Sequence, residues 1–155
     1  MMNGQPIRVL QVVPSMGHGG IEHFLMNLYR AIDKDKVQFD FMYRVPYECV
    51  FDKEIEAMGG HIFRYVDPDR HPVRSGRFYR SFFAEHPEFC AVHEHRSGCD
   101  GFFGLMRAAK HAGVPIRILH SHSSQKGWAS NPVKDLTDAF NASRLAAFAN
   151  TFVAC

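Results

Sequence analysis

Nowhere in the 155 residues does an apolar run approach the ~20 residues that a membrane-spanning helix needs. The amino terminus, Met1-Met2-Asn3-Gly4-Gln5-Pro6, lacks a basic segment followed by an apolar one, so no secretory signal is expected. The four cysteines, Cys49, Cys90, Cys99 and Cys155, form no C-x-x-C pair. Scattered in this way, they are expected to be reduced thiols of a cytoplasmic protein. Charge imbalance is small: 18 Lys and Arg against 16 Asp and Glu, a net +2. That argues against nucleic acid as a partner. Internal repeats, low-complexity tracts and an interdomain linker are all missing, so residues 1–155 are expected to form one domain. Apolar residues at 46% and charged residues at 22% are globular values, and the length supports a core of ordinary size.

What is present is a regular alternation of two periodicities. Apolar runs at Ile7–Val13, Val37–Tyr43, His61–Val66, Phe89–His95, Pro115–His122 and Thr151–Ala154 read as strands. Between them, Ile21, Phe24, Leu25, Leu28, Tyr29 and Ile32 fall on one face of a helix from Gly20 to Ile32. Phe51–Met58 reads as a short helix closed by Gly59-Gly60. Arg74–His86 is a helix ended before Pro87, and Asp67–Val73, with two prolines, a loop. Gly101–Ala112 is a helix with Phe102, Leu105, Met106 and Ala109 inward, stopped at Gly113. Ser123–Ser130 is a polar loop, and Asn131-Pro132 caps a last helix running to about Phe148. Six strands alternating with helices predict an α/β fold, a Rossmann-like parallel sheet with helices on both faces. Right-handed crossovers give the order 3-2-1-4-5-6, with ligands at the carboxyl ends of strands 1 and 4.

The turn from the first strand into the first helix is Met16-Gly17-His18-Gly19-Gly20-Ile21-Glu22. Glycine there lets a ligand approach the backbone, and a helix amino terminus favours an anion, so phosphate or diphosphate is the first expectation. A tight turn with no ligand is the plainer alternative. The dinucleotide fingerprint G-x-G-x-x-G needs glycine where Glu22 stands, and the second strand ends in Tyr43-Arg44, with no acidic residue for a ribose. No Lys-Ser or Lys-Thr follows a glycine loop, as a P-loop requires. Nicotinamide chemistry and ATP hydrolysis are therefore disfavoured.

Ten histidines are unusual for this length. His93-x-His95 ends the fourth strand and His120-x-His122 the fifth. Residues two apart on a strand share a face, so on neighbouring strands these four rings, with His18, converge at the ligand edge. His-x-His is a metal-ligand spacing, which supports a metal-dependent hydrolase as one alternative. Against it, carboxylates are few there: Glu94 points to the opposite face and Asp100 lies in a loop. Imidazoles at a strand end equally bind substrate hydroxyls or phosphate, or brace buried loops. The stretch Arg70–Phe83 interleaves Arg74, Arg77 and Arg80 with Phe78, Tyr79, Phe82 and Phe83. It reads either as a peripheral membrane contact or as a surface helix with its rings in the core.

The segments SMGHGGIEHFLMNLYRAI, VQFDFMY, MGGHIFRY, VHEHRSGCDGFFGLMRAAKHAGVPIRILHSHSS and NTFVAC resemble, in order, the N-terminal domain of family 4 glycosyltransferases. They are most similar to the branch that builds bacterial capsular polysaccharides and exopolysaccharides. The GGIE loop and the HSH motif are the most specific parts. The resemblance implies the N-terminal, acceptor-side half of a GT-B fold, with the C-terminal nucleotide-sugar domain outside this chain. It implies retaining transfer from a nucleotide diphosphate sugar to a glycan or polyprenyl-linked acceptor, with no cofactor and no obligatory metal. On that footing Gly19 and Gly20 lie near the donor diphosphate or the acceptor, and Glu22 holds the loop and helix start. His122 is the catalytic candidate, near the transferred sugar, giving a hydrogen bond or stabilising charge. His95, Ser121 and Ser123 are the further candidates for substrate contact. The fragment alone is expected to be inactive. A cytoplasmic protein, peripheral on the inner membrane face, fits a lipid-linked acceptor. A non-catalytic binding module is the remaining alternative.

Overall fold

The computed structural model describes residues 4–65, 72–96, 104–122 and 144–154. Its elements run β1 (Ile7–Val13), α1 (Gly20–Ala31), β2 (Val37–Tyr43), α2 (Asp52–Ala57), β3 (Ile62–Arg64), α3 (Pro72–Glu85), β4 (Phe89–Arg96), α4 (Gly104–His111), β5 (Ile116–Ser121) and β6 (Thr151–Ala154). Residues 144–148 are also helical. The strands form one sheet in the order β3-β2-β1-β4-β5-β6, and every pairing is parallel. The expected fold and strand order are therefore correct.

Two cores flank the sheet. On one face Val13, Phe39, Phe41 and Tyr43 pack with Leu25, Met26 and Tyr29 of α1 and Ile55 of α2. On the other, Leu10, Val12, Met42 and Val92 pack with Tyr79, Phe82 and Phe83 of α3 and Leu105, Met106 and Ala109 of α4. Alternation along β1 assigns Val9, Gln11 and Val13 to the α1 side. The strands nearest the centre read as apolar runs because both faces are covered. β6 is an edge strand whose four residues are exposed.

Three features differ from expectation. α3 starts at Pro72 rather than Arg74, because the first helical position needs no N–H and proline's fixed φ suits it. β3 is three residues long, because among the described residues it pairs with Phe41, Met42 and Tyr43 alone. The buried stripe of α1 is Leu25, Met26 and Tyr29; Phe24 and Leu28 are 47% and 37% exposed, so the apolar face is rotated from the one the spacing suggested. The described part of α4 runs from Gly104 to His111, and Gly101 and Phe102, the expected start and one inner-face residue of this helix, lie outside the described residues. So do Cys99, Asp100, Cys155, the loops at 67–71 and 123–130, and the capping pair Asn131-Pro132. Gly59 (φ 85°) and Gly113 (φ 80°) end their helices in the left-handed region, as expected of glycine stops. Cys49 is a buried free thiol.

Candidate active site at the carboxyl edge of the sheet

The chain reverses direction across the sheet between β1 and β4, so the crevice beyond their carboxyl ends is where a ligand is expected. Two features meet there. The first is the loop into α1. Met16 is fully buried and ties the loop to the core, while His18, Gly19 and Gly20 are exposed. Gly19 is the N-cap, with extended backbone (φ −79°, ψ 171°) and no side-chain cap. A methyl group at Gly20 would meet nothing within 4 Å, and one at Gly19 would collide first with the carboxylate of Glu22. The Glu22 carboxylate thus folds back over the amino terminus of its own helix, where the dipole favours it. The anion at this helix start is the protein's own, and an incoming phosphate would share the position with Glu22. His23, which sequence reading passed over, braces the loop: its Nδ1 lies 3.0 Å from the Gly19 carbonyl. Its ring packs edge-on to Phe51 at 5.4 Å.

The second feature is the histidine group. His93 and His95 on β4 face His120 on β5 and His122 just beyond it, with His95 and His120 in register. His93 Nε2 lies 3.2 Å from His120 Nδ1, and His95 Nδ1 lies 2.8 Å from His122 Nε2. His95 Nε2 lies 2.9 Å from Oε1 of Gln11 on β1. The His93 and His120 rings are parallel within 2° at 5.3 Å. His18 does not join them; its ring neighbour is His23, 6.4 Å away. Glu94 alternates to the opposite face and is buried, as expected.

Burial makes these rings hard to charge. It lowers His93 to about 4, helped by His120 and His122. It lowers His95 to about 2, with His93, His122 and His120 adding repulsion. His120 is lowered by burial, and His122 by burial and His120, partly offset by the negative charge of Glu22. At neutral pH the group is a set of uncharged rings, suited to hydrogen bonding and poor at pairing with phosphate. One nitrogen from each of His93, His95 and His120 lies within 4.8 Å of the others, a spacing that can accommodate a metal ion. Hydrogen bonds engage His93 Nε2, His120 Nδ1 and both nitrogens of His95.

The two features form one wall. Phe24 of α1 meets the His120 ring edge-on at 6.2 Å, and Glu22 is near enough to act on His122. Of the expected site residues, Gly19, Gly20, Glu22, His95 and His122 are brought to this edge, and Ser121 closes β5 beside them. Ser123 lies outside the described residues. Sequence reasoning missed Gln11; its signal was a lone amide within the apolar run IRVLQVV.

The chain is 43% identical over 125 residues to "Putative glycosyltransferase EpsF" of Bacillus subtilis (strain 168). This chain is a relative of that glycosyltransferase. The match covers 79% of the chain and 32% of EpsF, so the chain spans about a third of the relative's length. No protein-family model matches it.

Proposed function

We propose that the chain is the acceptor-side half of a retaining GT-B glycosyltransferase. It moves a sugar from a nucleotide diphosphate sugar to a polyprenyl-linked glycan acceptor in surface polysaccharide synthesis, with no cofactor of its own. The observation that carries this reading is the meeting of the Gly19–Glu22 helix start with the His120–His122 strand end on one wall, in a chain 43% identical to part of EpsF. In this reading His122 hydrogen-bonds the transferred sugar, with His95, Ser121 and Ser123 alongside. The backbone at Gly20 admits substrate closely because nothing fills the space a side chain would take, while at Gly19 the substrate would meet the carboxylate of Glu22. Transfer leaves negative charge on the departing diphosphate, and preorganised N–H groups at a helix start stabilise such charge. The cationic groups that grip the donor belong to a second domain, whose closure excludes water from the reaction. The protein then works in the cytoplasm at the inner membrane face.

Titration of the 155-residue chain with polyprenyl-linked sugars and with nucleotide diphosphate sugars tests this reading. Acceptor binding is expected, weakened about tenfold by His122→Ala, as befits one hydrogen bond. Donor binding is expected to be weak or unmeasurable. Tight donor binding by this chain alone, or no acceptor binding, overturns the reading.

A further inference from the structure

We infer that Gln11 is a positioning residue that fixes the proton of His122 on Nε2 by acting through His95. This deepens the sugar-transfer reading and rests on it only for what His122 then does with a substrate. The amide oxygen of Gln11 can only accept a hydrogen bond, so the nitrogen 2.9 Å from it, His95 Nε2, carries a proton. A neutral imidazole has one N–H, so His95 Nδ1 is then an acceptor. Its partner at 2.8 Å is His122 Nε2, which must be the donor. A neutral His122 with its proton on Nε2 has Nδ1 as an acceptor. The relay therefore makes His122 a ring that receives a hydrogen bond from a sugar hydroxyl, not one that donates to a phosphate oxygen.

The relay is rigid where it begins. Gln11 is 1% exposed and His95 2% exposed, and Gln11 sits on the central strand of the sheet. An amide in that position holds an orientation that an exposed side chain would lose to water. The charged and titratable groups around His122 are His93 and His95 on β4, His120 on β5 and Glu22 on α1. Of these, His95 reaches His122 Nε2 within hydrogen-bond distance.

Nitrogen-15 NMR of histidine-labelled protein at pH 7 reads which nitrogen of each ring is protonated, with no ligand present. In the native chain His95 and His122 are both expected as the Nε2–H form. In Gln11→Glu, a carboxylate takes the place of the amide and draws a second proton onto His95, or, if itself protonated, donates to His95 Nε2. In both of these cases His95 carries a proton on Nδ1, donates it to His122 Nε2, and drives the His122 proton to Nδ1; an ionised carboxylate that only accepts from His95 Nε2–H leaves both rings as in the native chain. That inversion is the expected result, and a merely structural amide would not produce it. The native-state measurement needs no variant to fold: His122 found as the Nδ1–H form overturns the inference. So does a folded Gln11→Glu protein in which His95 carries a proton on Nδ1 while His122 keeps its own on Nε2, or a stoichiometric metal bound to these rings. The outcome separates from the functional reading. Correct tautomers without any sugar binding would sink the sugar-transfer assignment and leave the relay standing, and the reverse pair of results would do the opposite.

Discussion

At the scale of single residues, His93 and His95 are neutral because folding removes water from them, and this ties stability to pH. In the unfolded chain each ring takes a proton near pH 6.5, while in the fold His93 does so only near 4 and His95 near 2. Below about pH 6.5 the unfolded chain therefore binds more protons than the native one, and stability falls as pH falls. Each ring held neutral costs about 1.4 kcal/mol per pH unit. Lowering pH from about 6.5 to about 5.5 should thus remove about 2–3 kcal/mol, before most carboxylates begin to titrate. Urea unfolding at the two pH values measures it, and a flat response would show that the rings are solvated. The convergence of four rings was legible from two His-x-His pairs on adjacent parallel strands. Gln11 was not, because its partner lies 84 residues away and no local spacing links them. The failure of His18 to join has the same origin: loop direction depends on what Met16 and His23 hold.

At the scale of elements, two glycines that look alike in sequence do different work. Gly60 follows the left-handed Gly59, and a methyl group there would lie 2.8 Å from the Phe39 carbonyl, 2.8 Å from the Tyr29 hydroxyl and 2.9 Å from Ile55. Gly60→Ala is accordingly expected to lose about 1–3 kcal/mol through overpacking. Gly20, the first residue of α1, has space around it and no left-handed backbone to preserve. Gly20→Ala should leave stability unchanged or raise it by up to about 1 kcal/mol, while weakening acceptor binding if substrate approaches the backbone there. Chemical denaturation of both variants, with acceptor titration of the second, checks the pair. Equal destabilisation would mean that Gly20 is needed by the fold alone. The sequence made both glycine turns visible, and the glycine stops after α2 and α4 fell where expected. It did not show which glycine the fold requires, because that depends on β2 and α1 approaching Gly60 from far along the chain. The rotated face of α1 has a similar cause. Phe24 fits the helical period but is drawn to His120 on β5, a partner that helix spacing cannot reveal.

At the scale of the whole molecule, the parallel sheet and its strand order were readable because alternation and right-handed crossovers leave few topologies. What alternation could not decide was how α3 meets its surroundings. Tyr79, Phe82 and Phe83 are buried, and Phe78 is half-buried and stacked on Tyr65 at 5.2 Å. Arg74, Arg77 and Arg80 are exposed. The aromatic side chains therefore belong to the core, and α3 offers no ring for insertion into lipid. No helix among the described residues is long and apolar enough to cross a membrane. Any approach of α3 to a bilayer would be electrostatic, worth about 1 kcal/mol for each arginine near an anionic surface. The chain is thus expected to co-sediment with vesicles containing phosphatidylserine at low ionic strength and to stay in solution with neutral vesicles. Raising salt should release it, because the screening length shrinks from about 30 Å at 0.01 M to about 3 Å at 1 M. Charge reversal of Arg74, Arg77 and Arg80 together should abolish the sedimentation without unfolding the helix, since all three face water. Binding that survives high salt would point to apolar insertion from another part of the molecule. No lipid-dependent sedimentation at any salt would remove α3 as a membrane contact and leave delivery of a lipid-linked acceptor to other parts of the protein.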